Sequence, residues 1–162
     1  MSGSKGTASD SSDSLTAALV AVVEAENAAV YGYSVAGARL SSSAQRLVAR
    51  GDYDVHRAQV QATMSWLSDH ARQSDTAASA APPAAVYALP SPVTDAASAL
   101  ALLAALEENT AARYADVVSL ATGSLQRAAA LALQAAAVRE AKWRHGSVPF
   151  PGLTGRLPGS NS

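Results

Sequence analysis

Residues 15–33 read Leu-Thr-Ala-Ala-Leu-Val-Ala-Val-Val-Glu-Ala-Glu-Asn-Ala-Ala-Val-Tyr-Gly-Tyr. Leu15, Leu19, Val22, Val23, Val30 and Tyr33 recur at helical spacing, which is the pattern of one apolar stripe on an α-helix. Alanine, which fills much of the rest, has the best intrinsic helix propensity and adds little bulk. Glu26 falls inside the stripe, with apolar residues at −11, −7, −4, −3, +4 and +7. A carboxylate on an inward face needs a partner, a metal or a raised pKa, because an unpaired buried charge is expensive. The nearby Glu24 points elsewhere and can be solvated. The stretch therefore predicts a long helix, from about Asp13 to about Arg39, with Glu26 on its inner face.

Working outward, residues 1–12 are rich in Ser, Gly and Asp and read as a disordered tail with no signal-peptide h-region. Ser41-Ser42-Ser43 is a polar turn with good N-cap candidates. A second helix is expected from about Ser42 to about Gln73, with Leu47, Tyr53, His56, Val60, Met64 and Leu67 along one side. Gly51 marks a candidate break, after which the helix restarts at Asp52. Pro82, Pro83, Pro90 and Pro92 exclude helix between Ser74 and Val93. Thr94 or Asp95 caps a third helix carrying Leu100, Leu103, Glu107, Tyr114 and Val118, which ends near Gly123. A fourth runs from Ser124 through Leu131 and Val138 to about His145. The bundle spans 13–146, and 147–162 is a tail that Phe150 and Leu153 partly dock.

Two helical hairpins joined by a long Pro-rich crossover predict an all-α, ferritin-like antiparallel four-helix bundle. At 162 residues the chain has one domain and a substantial core, although aromatics are only 5% of it. The formal net charge of −1 gives no field to recruit nucleic acid or an anionic membrane. The absence of cysteine excludes disulfides, thiolate metal sites and cysteine nucleophiles. No stretch reads as a membrane span, and the cytoplasm is the expected compartment. A Gly-rich phosphate loop, a nucleotide fingerprint and a nucleophile elbow are all missing.

Four residues, one per helix, could carry chemistry: Glu26, His56, Glu107 and Glu140. The ferritin-like carboxylate bundles use one Glu from each of two helices and Glu-x-x-His from each of the other two. Here Tyr53 stands where the helix-two Glu belongs, and Trp143 where the helix-four His belongs. Two readings stay open. In one, Glu26, His56, Glu107 and Glu140 hold iron or manganese (or zinc) in an incomplete site with open water positions. In the other no metal binds, Tyr53 and Trp143 fill the centre, and the carboxylates bond to a Tyr hydroxyl, the indole N–H or an Arg such as Arg57 or Arg113. Tyr31, Tyr33 and Tyr114 are read as packing residues. The arginines of the second helix, Arg46, Arg50, Arg57 and Arg72, are read as a solvated face.

The run Glu26-Asn27-Ala28-Ala29-Val30-Tyr31-Gly32-Tyr33, the pair His56-Arg57, and the crossover Pro82-Pro83-Ala84-Ala85-Val86-Tyr87-Ala88-Leu89-Pro90 have an order that is informative together. They are followed by Val93-Thr94-Asp95, Leu106-Glu107-Glu108 and Phe150-Pro151-Gly152-Leu153. Over residues 14–153 the chain resembles an actinobacterial ferritin-like domain family of unknown function. The resemblance implies the ferritin-like fold and implies no activity. The expected roles are a structural or self-associating bundle, forming a homo-oligomer such as a dimer, or a metal-dependent redox or oxygen-handling protein. A carrier of an apolar ligand is a third.

Overall fold

The computed structural model describes residues 4–74 and 87–145, with side chains from Asp10 onward. Four helices make up the fold of the described residues: α1 (Ser4–Gly37), α2 (Ser43–Ser74), α3 (Ala96–Leu120) and α4 (Gly123–Arg144). The chain is an all-α four-helix bundle. The expected tail over residues 1–12 is corrected from Ser4 onward, where α1 is already helical. Ser14 Oγ donates to the Asp10 carbonyl there, and His70 of α2 lies beside Ser12, so the extra turns run along the end of α2. Pro82 and Pro83 of the crossover, and Phe150 and Leu153 of the tail, lie outside the described residues.

Side-chain pairs fix the helix directions. Glu26 meets His56 while Leu40 meets Arg46, so α1 and α2 are antiparallel. Tyr33 meets Glu107 while Glu26 meets Tyr114, so α1 and α3 are antiparallel. Arg139 meets Glu107 while Gln126 meets Val118, so α3 and α4 are antiparallel. It follows that α2 and α3 run in the same direction, with the end of one and the start of the next at opposite ends of the bundle. Tyr87, Leu89 and Val93 of the connection lie against the bundle, Tyr87 with its ring centroid 5.8 Å from that of Tyr31.

The ends follow local chemistry. Ser42 lies one residue before α2, and its Oγ accepts from the Gln45 amide. Asp95 makes a full capping box with Ser98 at the start of α3. Gly123 has φ 66°, a left-handed conformation that glycine adopts without penalty, and it opens α4 after the two-residue turn. The break expected at Gly51 is absent, because α2 is continuous; the roughly 1 kcal/mol cost of a mid-helix glycine is small beside the packing of a long amphipathic face.

The core falls into two apolar layers. One gathers Tyr33, Leu40, Ala49, Leu102, Leu103 and Trp143, and the other Leu19, Val22, Leu67, Tyr114, Val117 and Ala129. Within α1 the stretch Asp10–Gly37 is long and apolar enough to cross a membrane by length and composition, which the sequence reading did not expect. Leu19, Val22 and Val23 of that stretch are buried in the bundle, as in a core helix. Leu47 (75% exposed) and Met64 point outward, away from the side of α2 they were expected to share with His56, and Leu131 (68% exposed) and Val138 of α4 are also exposed. Three of the five buried positions on α4 are Ala, while Leu131 and Val138 are exposed, so its larger aliphatic residues do not mark its inner side.

Gly32 sets the approach of α1 to α3. A Cβ there would overlap Leu106 Cδ1. The alanine is tolerable, because the obstructing atom is the end of a side chain and Ala gains about 1 kcal/mol of helix propensity over Gly. A larger residue has no such escape. Gly32→Leu is expected to lower the unfolding free energy by about 1–3 kcal/mol, measured by urea titration of the circular dichroism. Unchanged stability would show that the two helices do not meet closely at Gly32.

Candidate functional site

Between the two apolar layers lies a fully buried polar network to which every helix contributes. Glu26 (α1), His56 (α2) and Glu107 (α3) are each 0% exposed, and Arg139 of α4 is 8% exposed. His56 Nδ1 is 2.7 Å from Glu26 Oε2, and its Nε2 is 2.9 Å from Glu107 Oε1. Both partners are carboxylate oxygens, which accept and do not donate, so both ring nitrogens carry hydrogens and the ring is an imidazolium. Arg139 Nε donates to the same Glu107 Oε1 at 2.9 Å. Two carboxylates, Glu26 and Glu107, are thereby matched by one imidazolium and one guanidinium, and these four groups balance in charge.

Two tyrosines complete it reciprocally. Tyr33 Oη donates to Glu107 Oε1 at 2.5 Å, and Tyr114 Oη donates to Glu26 Oε1 at 2.5 Å. Each tyrosine sits seven residues after the glutamate of its own helix, two turns along the same face, and reaches the glutamate of the opposite helix. Trp143 Nε1 donates to Tyr33 Oη at 2.8 Å, so its indole is tied in through Tyr33 and its ring packs edge-on to Tyr33. Asp52, one turn before His56, is also buried, and its Oδ2 and Glu107 Oε2 make no hydrogen bond among the described residues.

The electrostatics follow from these contacts. Burial alone would pull His56 down, but its hydrogen bonds to Glu107 and Glu26 and their charges overcome this and push it up to about 9. Burial works to raise Glu107, yet His56 and Arg139 together hold it below the usual carboxylate range. Burial raises Asp52, with Lys142 and Arg139 pulling part of the way back. Burial, with Glu107 for Tyr33 and Glu26 for Tyr114, drives both phenols far above their ordinary range, so both remain hydrogen-bond donors.

The structure thus brings together three of the four residues expected from the sequence. Glu140 is the exception. Its side chain is 24% exposed and pairs with Arg144 Nη2 at 2.6 Å, beside Glu108. Arg139 takes the inward position instead, on a stripe with Ala129, Ala132, Ala136 and Trp143. Trp143 is the signal that would have found it, since the largest residue of an Ala-rich helix fixes which face is buried, and Arg139 lies one turn before it. Tyr53 is not in the centre: it is half-buried at the surface, with the Arg57 guanidinium 6.0 Å from its ring centroid. Arg113 pairs with Asp116, so neither expected arginine reaches Glu26. Tyr33 and Tyr114 are polar partners as well as packing residues.

The donor set does not suit a metal. Both His56 ring nitrogens are directed at carboxylate oxygens, and Glu107 is already held by His56 and the Arg139 guanidinium, whose positive charge repels a further cation. The unpartnered Glu107 Oε2 and Asp52 Oδ2 are two oxygens with positive groups close by. Among the described residues no group of three or more His, Cys, Asp or Glu side chains could hold a metal ion.

The raised His56 pKa makes a stability prediction. Its folded value lies above the ordinary 6.5, so its stabilising contribution is complete below about pH 6.5 and is lost as pH rises through about 9. Unfolding free energies from urea titration should fall over that interval in the wild type and stay flatter in His56→Gln. Equal slopes in the two proteins would mean that His56 is not the titrating group.

Comparison with known proteins gives a family and no activity. No curated protein matches the chain. A crystal structure of a conserved hypothetical protein, rv2844, from Mycobacterium tuberculosis is similar, with a TM-score of 0.76 and 29% identity over 91% of this chain and 99% of that one. The model of the family described as a domain of unknown function (DUF4439) matches residues 18–155, from the first buried turn of α1 past the end of α4. The chain belongs to that family of unknown function.

Proposed function

We propose that this protein is a ferritin-like bundle whose central site is given over to a hydrogen-bonded ion network, and that its role is structural or interactive. The observation that carries the reading is the pair of contacts on Glu107 Oε1, from His56 Nε2 and from Arg139 Nε, both at 2.9 Å. A guanidinium and an imidazolium supply the positive charge beside that carboxylate, which supports a core that closes its charges without a metal. The helix directions support the ferritin-like assignment: α1 is antiparallel to both α2 and α3, and α2 and α3 are parallel, as a bundle with one long crossover requires. The Mycobacterium tuberculosis relative accords with an actinobacterial family.

The same reading includes self-association as a dimer. Leu131 and Val138 lie two turns apart on the outer side of α4, and the alanines around them allow another helix to come close. A cytoplasmic location accords with a chain that contains no cysteine.

Elemental analysis tests the central part. Protein purified after growth with iron, manganese and zinc supplied is expected to carry none of them in stoichiometric amount. One equivalent of any of the three per chain, lost in both Glu26→Ala and His56→Ala variants that remain folded by circular dichroism, would overturn the proposal in favour of a metal-dependent redox protein.

A further inference from the structure

The seam between α1 and α2 opens into a cavity of about 470 Å³, away from the buried network's ion pairs but sharing one residue with them. Tyr33 lines it, beside Tyr53 and three arginines of α2, Arg46, Arg50 and Arg57. Among the described residues no carboxylate lines it. The volume falls in the range of about 300–1,000 Å³ typical of small-molecule sites.

The arginines are held in ways that a merely solvated face does not need. Arg46 Nη1 donates to the Leu40 carbonyl at 2.7 Å and to that of Ser41 at 3.0 Å, which fixes the guanidinium at the rim and leaves its other N–H groups available. Arg57 stands over the Tyr53 ring. Among the described residues Arg50 pairs with Asp54 alone, at 3.9 Å with both side chains largely exposed, an arrangement that contributes little. Arg46 and Arg50 are one helical turn apart, and like charges at that spacing repel. An anion between them relieves the repulsion, and guanidinium forks match the oxygens of phosphate and carboxylate.

The geometry points to an anion-binding cleft: Arg46, Arg50 and Arg57 take the oxyanion of a small organic phosphate or carboxylate, and the ring of Tyr53 takes a planar apolar body attached to it. This site lies apart from the metal question and stands whether or not the core binds a metal. It also has a built-in reporter. Tyr33 lines the cleft on one side, and its hydroxyl accepts the Trp143 indole N–H on the other, so a ligand against Tyr33 perturbs the surroundings of Trp143.

Isothermal titration calorimetry of the full chain tests it, with phenyl phosphate and benzoate as probes and inorganic phosphate and phenol as the two halves taken separately. The expected result is saturable one-to-one binding of phenyl phosphate, benzoate or both, with whichever binds identifying the oxyanion. Binding should weaken about tenfold or more in Arg50→Gln/Arg57→Gln, as loss of charged hydrogen bonds requires. Those side chains are exposed, so the variant should fold, and circular dichroism checks that it does. In Trp66→Phe, where Trp143 is the only tryptophan, the same titration should change the fluorescence. The proposal is overturned if neither probe binds at millimolar concentration, or if the folded double variant binds as tightly as the wild type. It is also overturned if phenol, or inorganic phosphate, binds as tightly as the probes.

Discussion

Glu107 Oε1 accepts three hydrogen bonds, from Tyr33 of α1, His56 of α2 and Arg139 of α4. That one oxygen ties the glutamate's own helix to the other three, and the rest of the architecture depends on it. Ala-rich helices bring small, nearly uniform knobs to their contacts, and such faces can slide by a turn at little cost in apolar burial. Buried charges cannot. A shift of one turn would leave an imidazolium or a carboxylate without its partner in a low-dielectric interior, where breaking such a pair typically costs about 3–5 kcal/mol. The apolar layers on either side supply burial, and the network between them sets the register.

The arrangement is close to symmetric. Each hairpin supplies a glutamate, a tyrosine two turns further on, and a cation on its second helix: Glu26, Tyr33 and His56 from one, Glu107, Tyr114 and Arg139 from the other. The tyrosines cross over, each donating to the other hairpin's glutamate. His56 breaks the symmetry by bridging both carboxylates, while Arg139 bonds Glu107. A bundle of this topology has two-fold related inner positions at its middle, and here a cation partners a carboxylate in each half. The outcome is a hydrogen-bonded ion network that joins all four helices, with Glu107 Oε2 and Asp52 Oδ2 left without a hydrogen bond among the described residues.

The residues legible from sequence were those whose helices announce their own phase. Leu19, Val22, Val23 and Tyr33 point the α1 stripe inward, and Glu26 is found by falling within it. Glu107 is found in the same way among Leu103, Tyr114 and its neighbours. On α4 the signal fails, because alanine occupies both the inner stripe of Arg139 and the adjacent stripe of Glu140, and hydrophobicity cannot separate two alanine stripes. The hidden information was Trp143, which must be buried for its size. Asp52 escaped because Gly51 suggested a helix start beside it; its position one turn before His56 places it on the same face. The cleft was out of reach for a different reason. Arg46, Arg50 and Arg57 are visible as a basic face, but only the placement of α1 against α2 sets Tyr33 beside them and makes the face concave.

The protonation state of His56 is the point on which this account rests, and ¹⁵N NMR of the imidazole ring at neutral pH measures it directly. Both ring nitrogens should show the shifts of protonated nitrogens at pH 7, converting only as pH rises through about 9. A ring with one protonated and one lone-pair nitrogen at pH 7 would contradict the account, since one of the two carboxylate contacts then lacks its donor and the core no longer closes on itself.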